Sequence, residues 1–314
     1  MRIGIDVGGM SFKGGIVNPE GEILYTHVES TADLKGYAAM EEKLFILIDA
    51  LLAEAKAKNW LVESIGVGVP GLADVESNQV VYCTNLGWNN VPLGSHVKVR
   101  YGLPTFMDND ATVAGIAESA KGCTRGAENS VFLTLGTGVG GGIIINGKVT
   151  SGTHNKGSEI GHMIVGENFY DCNCGNNGCL ETFASATALM KDFQRRIQAG
   201  EATALCTDSD GAKSVTAKEI FDGAKVGDPA ADAAVKRLAK YLGIGLANVV
   251  NMLDPEVIAL GGGVSKAGDF LLKLVEPEMR KRLVFKEGKQ TKLEIAQLSN
   301  DAGIIGAAML ANYK

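Results

Sequence analysis

Short apolar runs separated by glycine turns alternate along this chain with longer stretches in which apolar residues recur every three or four positions. The first run, Arg2 to Val7, predicts a buried strand carrying Asp6 near its end. Gly8-Gly9-Met10-Ser11 turns the chain into a second strand, Phe12 to Val17, closed by Asn18-Pro19-Glu20-Gly21; a third strand follows over Glu22 to His27. Leu44, Leu47, Ile48, Leu51 and Leu52, with Lys and Glu between them, predict a helix over Ala38 to Lys58. Ile65 to Val69 is a further strand, stopped by Pro70-Gly71. A short strand at Val80 to Cys83 leads through Asn85-Leu86-Gly87-Trp88 to a helix around Gly94 to Tyr101. Thr105 to Met107 is a strand that delivers Asp108-Asn109-Asp110 to the start of a helix, Ala111 to Ala120.

A second cycle begins at Ser130. Strand Val131 to Leu135, glycine turn Gly136 to Gly142, return strand Ile143 to Ile145 and polar turn Asn146-Gly147 repeat the plan of residues 2–21. Helices are predicted near Ala184 to Ile197, Ala217 to Ala224 and Ala230 to Asn251, the last with Asp228 as N-cap and Pro229 at its first position. Glu256 to Leu260 is a strand into Gly261-Gly262-Gly263, with a helix from about Ala267. Leu293 to Ala296 is a last strand, and Ala302 to Ala311 a final apolar helix. Strands alternating with helices argue for an α/β fold of two related lobes with largely parallel central strands. The boundary is placed inside the helix after Asp110: a small lobe of residues 1-112 plus 300-314, and a large lobe of residues 113-299 carrying a cysteine loop.

Charge narrows the function classes. With 36 acidic against 30 basic residues, a net charge of −6 and no stripe of Lys or Arg, a nucleic-acid surface is not expected. No apolar segment approaches the ~20 residues that span a bilayer, so no membrane partner is expected either. The chain starts on an apolar strand without a signal-peptide pattern, and Cys83, Cys123 and Cys206 fit no disulfide framework, which suits a reducing cytoplasm.

The candidate chemistry lies in the loops. Glu159-Ile-Gly-His162 runs into Cys172-Asn-Cys174-Gly-Asn-Asn-Gly-Cys179-Leu-Glu181, so three cysteines and a histidine stand at the close spacing of a closed tetrahedral zinc site. The alternatives are a reduced loop or a disulfide, although Cys172 and Cys174 are too close in sequence to pair comfortably. Gly8-Gly9 and Gly136 to Gly142 are glycine hairpins whose amides can cradle phosphate oxygens, and each alone is equally an ordinary tight turn. Asp6 offers a carboxylate to a hydrated magnesium ion. Gly261 to Gly263 joins a strand to a helix, where a nucleoside can rest against main chain. Asp110 leaves a strand end beside Asn109, as a general base would, or else it caps the following helix.

These residues carry a resemblance. The chain resembles sugar kinases of the ROK family (repressor, open reading frame, kinase), within the actin-like ATPase superfamily, over essentially its whole length. Glu159-x-Gly-His162, the C-x-C-G-x-x-G-C-x-E run from Cys172 to Glu181, and Leu135-Gly-Thr-Gly-Val-Gly-Gly-Gly142 are its most specific parts; Asp108-Asn109-Asp110-Ala111 and Asp6-Val-Gly8-Gly9 support it. Asn85 to Leu93 reads most like the glucokinase branch. The resemblance implies a two-lobed actin-like (ribonuclease H-like) α/β fold with the active site in the interlobe cleft. It implies ATP-dependent phosphorylation of glucose at the 6-hydroxyl, with Asp110 as catalytic base. Asn109, Glu159, His162 and Glu181, with Gly71 less directly, would bind the sugar. Asp6, Gly8, Gly9, Lys13, Gly136, Thr137, Gly138 and Gly140 would hold the phosphates of Mg-ATP, and Gly262 and Gly263 would lie by the adenosine. His162, Cys172, Cys174 and Cys179 would bind a structural zinc, and a homodimer or tetramer is implied. Other hexoses (fructose, mannose, an N-acyl-hexosamine) are the nearest alternatives. A non-catalytic sugar sensor or regulator is disfavoured, since no helix-turn-helix pattern precedes the first strand. One departure stands out: Met10 occupies the position of a threonine in the usual D-x-G-G-T, and a thioether replaces a hydroxyl there.

Overall fold

Arg2–Val7 forms β1, Ser11–Val17 β2 and Ile23–Ser30 β3 of a computed structural model that describes residues 1–313. Next come α1 (Tyr37–Ala57), β4 (Ser64–Val69), β5 (Leu72–Asp74), β6 (Gln79–Cys83), β7 (Trp88–Val91), α2 (Leu93–Tyr101), β8 (Thr105–Asn109) and α3 (Asp110–Lys121). The second cycle supplies β9 (Ser130–Leu135), β10 (Val139–Ile145) and β11 (Lys148–Val149). Beyond the cysteine loop lie α4 (Glu181–Ala184), α5 (Ala186–Gln198), α6 (Ala217–Lys225), α7 (Pro229–Leu253), β12 (Val257–Gly261), α8 (Gly262–Ser265), α9 (Asp269–Arg280), β13 (Lys292–Ile295) and α10 (Ala302–Tyr313). Contacts divide the chain into two units. One holds Met1–Phe132, Gly142–Ser158 and the C-terminal stretch from Gln297; the other holds Leu133–Gly141 and Glu159–Ala296. No helix among the described residues is long and apolar enough to cross a membrane.

The first unit is built on a sheet of order β3-β2-β1-β4-β8, in which β1, β4 and β8 run parallel and β2 and β3 antiparallel. The central strands are buried on both faces, so they read as continuous apolar runs rather than alternating ones. Leu47 and Leu51 of α1 press on Gly14 from one side. On the other, α10 brings its main chain directly onto the strands: a Cβ at Gly4 would lie 1.9 Å from the Ile304 carbonyl oxygen, and one at Gly66 1.8 Å from that of Ala307. Only glycine permits that approach. The register then aligns the polar ends of the strands, with Asp6 opposite Gly68 and Gly68 opposite Asp108.

Several predicted boundaries move. β5 and β7 join β6 in a small antiparallel sheet that was not predicted, because three or four residues carry too little period to read. The second glycine turn is shorter than expected: β10 already begins at Val139, so Gly140 lies in a strand. Gly142 belongs there because a Cβ would sit 3.0 Å from the Ala111 carbonyl oxygen. The helix expected over Ala184 to Ile197 starts at Ala186, because Ser185 is extended and its side chain caps α5 by accepting from the Ala188 N–H at 3.0 Å; Ala184 instead closes the short α4. The helix expected from Ala267 begins at Asp269, after the separate turn of α8.

In the second unit α7 is the central helix. It is capped by Asp228, which accepts from the Ala231 N–H at 3.0 Å, and stopped by Asp254 in the left-handed region at φ 44°. Its apolar face is buried under α4, α5, α6 and α9. A further sheet has the order β11-β10-β9-β12-β13; its strands β12 and β13 belong to the second unit, whereas β11 and parts of β9 and β10 belong to the first.

One buried carboxylate ties the first unit together. Glu118 of α3 accepts main-chain N–H bonds from Cys123 (2.9 Å), Gln297 (2.9 Å) and Leu298 (2.8 Å), fixing the approach to α10. Glu118→Ala deprives three N–H groups of their acceptor and is expected to lower the unfolding free energy by about 3 kcal/mol. Chemical denaturation measures this, and a loss below about 1 kcal/mol, the net value of one ordinary hydrogen bond, would reject the role.

Candidate functional site

In the first unit the site residues gather at the carboxyl ends of β1, β4 and β8. Asp6 is largely buried, and that burial raises its carboxyl above the usual carboxylate range while nearby Lys13 pulls it back. It fits because position 303 is glycine: a Cβ there would lie 2.7 Å from the Asp6 carboxyl carbon. The adjoining hairpin closes through the Gly8 N–H, which donates to the Ser11 carbonyl at 3.1 Å. Buried Thr31 pins it from outside. Its hydroxyl donates to the Gly9 carbonyl at 3.1 Å and its N–H to the Met10 carbonyl at 3.1 Å. The Met10 side chain, 72% exposed, takes no part.

At the end of β8, capping falls to Asn109 and not to Asp110. The Asn109 Oδ1 accepts from the N–H groups of Ala111 (2.9 Å) and Thr112 (3.3 Å), and its Nδ2 donates to the Gly71 carbonyl at 2.9 Å. Gly71 has φ 89°, and a Cβ on it would meet the Tyr82 carbonyl oxygen at 2.3 Å, so this turn must be glycine. The amide of Asn109 therefore has three structural partners and one further N–H to offer. Asp110 is the first residue of α3 and is exposed, with its Oδ1 accepting from the Ala111 N–H at 2.8 Å. A carboxylate so placed benefits from the helix dipole.

The second unit presents a hairpin, a carboxylate and a thiol cluster in contact. The Gly136 N–H donates to the Gly138 carbonyl at 2.9 Å, while the Gly136 carbonyl accepts from the Ala186 N–H at 2.8 Å, anchoring the hairpin to the start of α5. Glu181, the first residue of α4, accepts from the Val139 N–H at 3.0 Å through Oε2. A Cβ at Gly138 would lie 2.1 Å from that same oxygen. Its other oxygen stands 3.7 Å from the Cys172 thiol. Gly262, at φ 84°, packs on the end of β9, where a Cβ would meet Leu135 main chain at 2.6 Å.

His162, Cys172, Cys174 and Cys179 bring their ligand atoms within 4.8 Å of one another. Cys172 Sγ is 3.6 Å from His162 Nδ1, and Cys174 Sγ is 3.6 Å from Cys179 Sγ. A tetrahedral zinc with sulfur at about 2.3 Å and nitrogen at about 2.0–2.1 Å separates its ligand atoms by about 3.6–3.8 Å, so the set fits that ion. Burial raises the Cys172 thiol and pushes that of Cys179 up to about 12, whereas the Asn176 N–H lowers Cys174 to about 7. A dication supplies the charge that lets such thiols ionise together. His162 Nδ1 faces the thiols and Nε2 lies 3.9 Å from the Glu159 carboxylate, so the ring has one nitrogen for each task. All four cysteine-loop ligands named from the sequence are thus brought together, with Glu159 and Glu181 beside them.

The structure adds residues that sequence reading missed. Asn177 folds the cysteine loop by donating to the Asn168 carbonyl (3.0 Å) and the Asp171 carboxylate (2.8 Å) while accepting from the Asn168 N–H (2.8 Å). Asn168 in turn donates to the Thr182 carbonyl of α4 at 2.7 Å. An asparagine in a Gly/Asn-rich loop signals a turn and nothing more, so these roles were legible only as composition.

Residues 2–314 match the family model described as the ROK family. A glucokinase of Halalkalibacterium halodurans is 37% identical over 314 residues, covering 99% of this chain and 95% of that protein. A xylose repressor of Caldicellulosiruptor bescii is 31% identical over 306 residues, covering 97% of this chain and 76% of the repressor. Among solved structures, the ROK family glucokinase from Streptomyces griseus in complex with glucose and AMPPNP superposes with a TM-score of 0.79 at 32% identity, over 100% of this chain and 99% of that one. The hairpins, the Asp108-Asn109-Asp110 strand end and the His-Cys₃ loop are accordingly those of a mixed α/β protein of actin-like ATPase type, and the chain belongs to the ROK family.

Proposed function

We propose that this protein is an ATP-dependent hexose kinase acting on glucose at its 6-hydroxyl. The observation that carries this assignment is the division of labour at the end of β8. Asn109 takes the cap, and Asp110 stands exposed at the head of α3, where a carboxylate can meet a substrate hydroxyl.

In this mechanism Asp110 accepts the 6-hydroxyl proton as that oxygen bonds to the γ-phosphorus and the bond to the leaving ADP oxygen breaks. Asn109, through its remaining N–H, and Glu159, His162 and Glu181 orient the ring hydroxyls. Gly8 and Gly136 spend their own N–H groups closing their turns, so phosphate contact is assigned to the amides of Gly9 and Met10 and of Thr137 and Gly138. The Met10 departure then matters less, because the amide serves whatever the side chain is. Asp6 would hold a hydrated magnesium ion, which would supply positive charge to the phosphates. His162, Cys172, Cys174 and Cys179 would hold a zinc ion, which with four protein ligands would be structural and keep His162 and the loop beside Glu181. A sugar-sensing role without turnover is the competing possibility, since a repressor matches 97% of this chain, and turnover decides between them.

Asp110→Asn is expected to lower kcat by about 10²–10⁴-fold in a coupled ATP assay while the calorimetric affinity for glucose stays within a few-fold. Turnover at the parental rate would reject Asp110 as base, and no turnover by the parent protein on any hexose would reject the kinase. Protein purified without chelator should carry one zinc per chain by elemental analysis and lose it in Cys179→Ser. Metal content far below one per chain would remove zinc from the account.

A further inference from the structure

A groove on the second unit, remote in sequence from every residue assigned above, carries an unusual density of cations. Helices α5, α7 and α9 line an open cavity of about 710 Å³ with Arg195, Arg196, Lys236, Arg237, Lys240 and Lys273, against a single lining carboxylate, Glu278. In a chain of net charge −6 such a concentration is not a sample of the average surface. The volume falls within the range of small-ligand pockets, roughly 300–1,000 Å³.

The neutralising groups around it do not balance the charge. Asp192, buried, accepts from Arg195 at 2.9 Å and from Arg196 at 2.8 Å, and lies 3.7 Å from the Arg237 Nε. One carboxylate thus serves three guanidinium groups. Arg196 also pairs with Glu201 at 3.0 Å, and Lys236 with Asp232 at 2.6 Å. Glu278 is already shared between Lys281 and Arg282. Lys240 and Lys273, both exposed, form no ion pair among the described residues. Against Asp192, Glu201 and Asp232 the six cations keep an excess of about three positive charges, enough to meet the charge of a phosphate ester.

The cations are also held in place. The Arg237 guanidinium lies 4.7 Å from the Phe183 ring centroid and 5.3 Å from that of Tyr241, rings that stack at 3.9 Å. Its Nη2 donates to the Asn168 Oδ1 at 2.7 Å. Burial lowers the Arg237 pKa, with Asp192 opposing it, so this charge is incompletely compensated. A planar, pre-oriented guanidinium beside two exposed ammonium groups, one of them 5.3 Å from the Tyr241 ring centroid, is a good receptor for phosphate oxygens. We propose that this groove is a second ligand site, taking a small anion that bears two or more phosphate charges. Arg237 ties the groove to α4: its guanidinium lies by Phe183 of that helix, and Asn168 joins it to the Thr182 carbonyl.

The test uses inorganic pyrophosphate as probe, titrated into the full chain by calorimetry at fixed ionic strength. Lys240→Ala/Lys273→Ala removes the two exposed, unpaired ammonium groups and leaves the folding core and the nucleotide hairpins untouched. Wild-type protein should show a pyrophosphate site that the double variant binds at least about tenfold more weakly, as expected for loss of two charge-assisted contacts. A second, weaker loss should follow Arg237→Lys, which keeps the charge but not the fork. Equal affinity of the wild type and the double variant, or no binding by the wild type at millimolar probe, would overturn the proposal. Neither outcome bears on turnover, so failure here is distinguishable from failure of the kinase assignment.

Discussion

The contact on which the second unit's chemistry depends is the Glu181 carboxylate against the Val139 amide. One oxygen closes the glycine hairpin from outside; the other reaches the Cys172 thiol. A carboxylate in that position links the end of β9, the cysteine loop and the first turn of α4, so that displacement of any one is felt by the other two. It also explains Gly138 in a way that phosphate binding alone does not. Any side chain there would occupy the space of the Glu181 oxygen. The hairpin is glycine-rich as much for the protein's own carboxylate as for a ligand's oxygens. His162 extends the same arrangement, because a ring fixed through Nδ1 has no freedom left to choose where Nε2 points.

The first unit holds its turns through Thr31 and Asn109. Thr31 holds the β1–β2 turn by its carbonyls, at Gly9 and Met10, and these bonds are indifferent to which side chain stands at position 10. A methionine can therefore replace a hydroxyl there without loss of the turn itself. Asn109 does the corresponding work at β8. It grips both the α3 amides and the Gly71 carbonyl, while Asp110 shares the Ala111 N–H with it.

Much of this was legible in the sequence, and the pattern of what was not is physical. Buried parallel strands such as β1, β4 and β12 announce themselves as apolar runs ending in glycine or an acid, and α7 by its Asp-Pro start. The cysteine loop could be read because metal ligation demands particular residue types at short spacing, and the four ligand atoms do converge. By contrast, Asn109 and Asp110 are both good caps, and sequence offers no means of choosing between adjacent ones. Thr31, Gly303, Asn168 and Asn177 act through partners fixed by the fold, and Thr31 and Gly303 meet theirs far along the chain. Gly140 was grouped with the turn because a glycine run looks uniform; only the ladder shows where turn becomes strand.

The glycine seats for α10 bear on how the chain is made. β1 is made long before α10, yet α10 lies with its main chain on β1 and β4 at Gly4 and Gly66. Until α10 is made, α3 covers that face of the nascent sheet only in part, through Val113 at Gly68, while every residue of the second unit has already been made by Ala296. The inserted unit is thus free to fold during translation, whereas the first unit can close only when α10 is released. An apolar face waiting that long is the surface on which a chaperone would act, and loss of α10 would be far more damaging than its twelve residues imply.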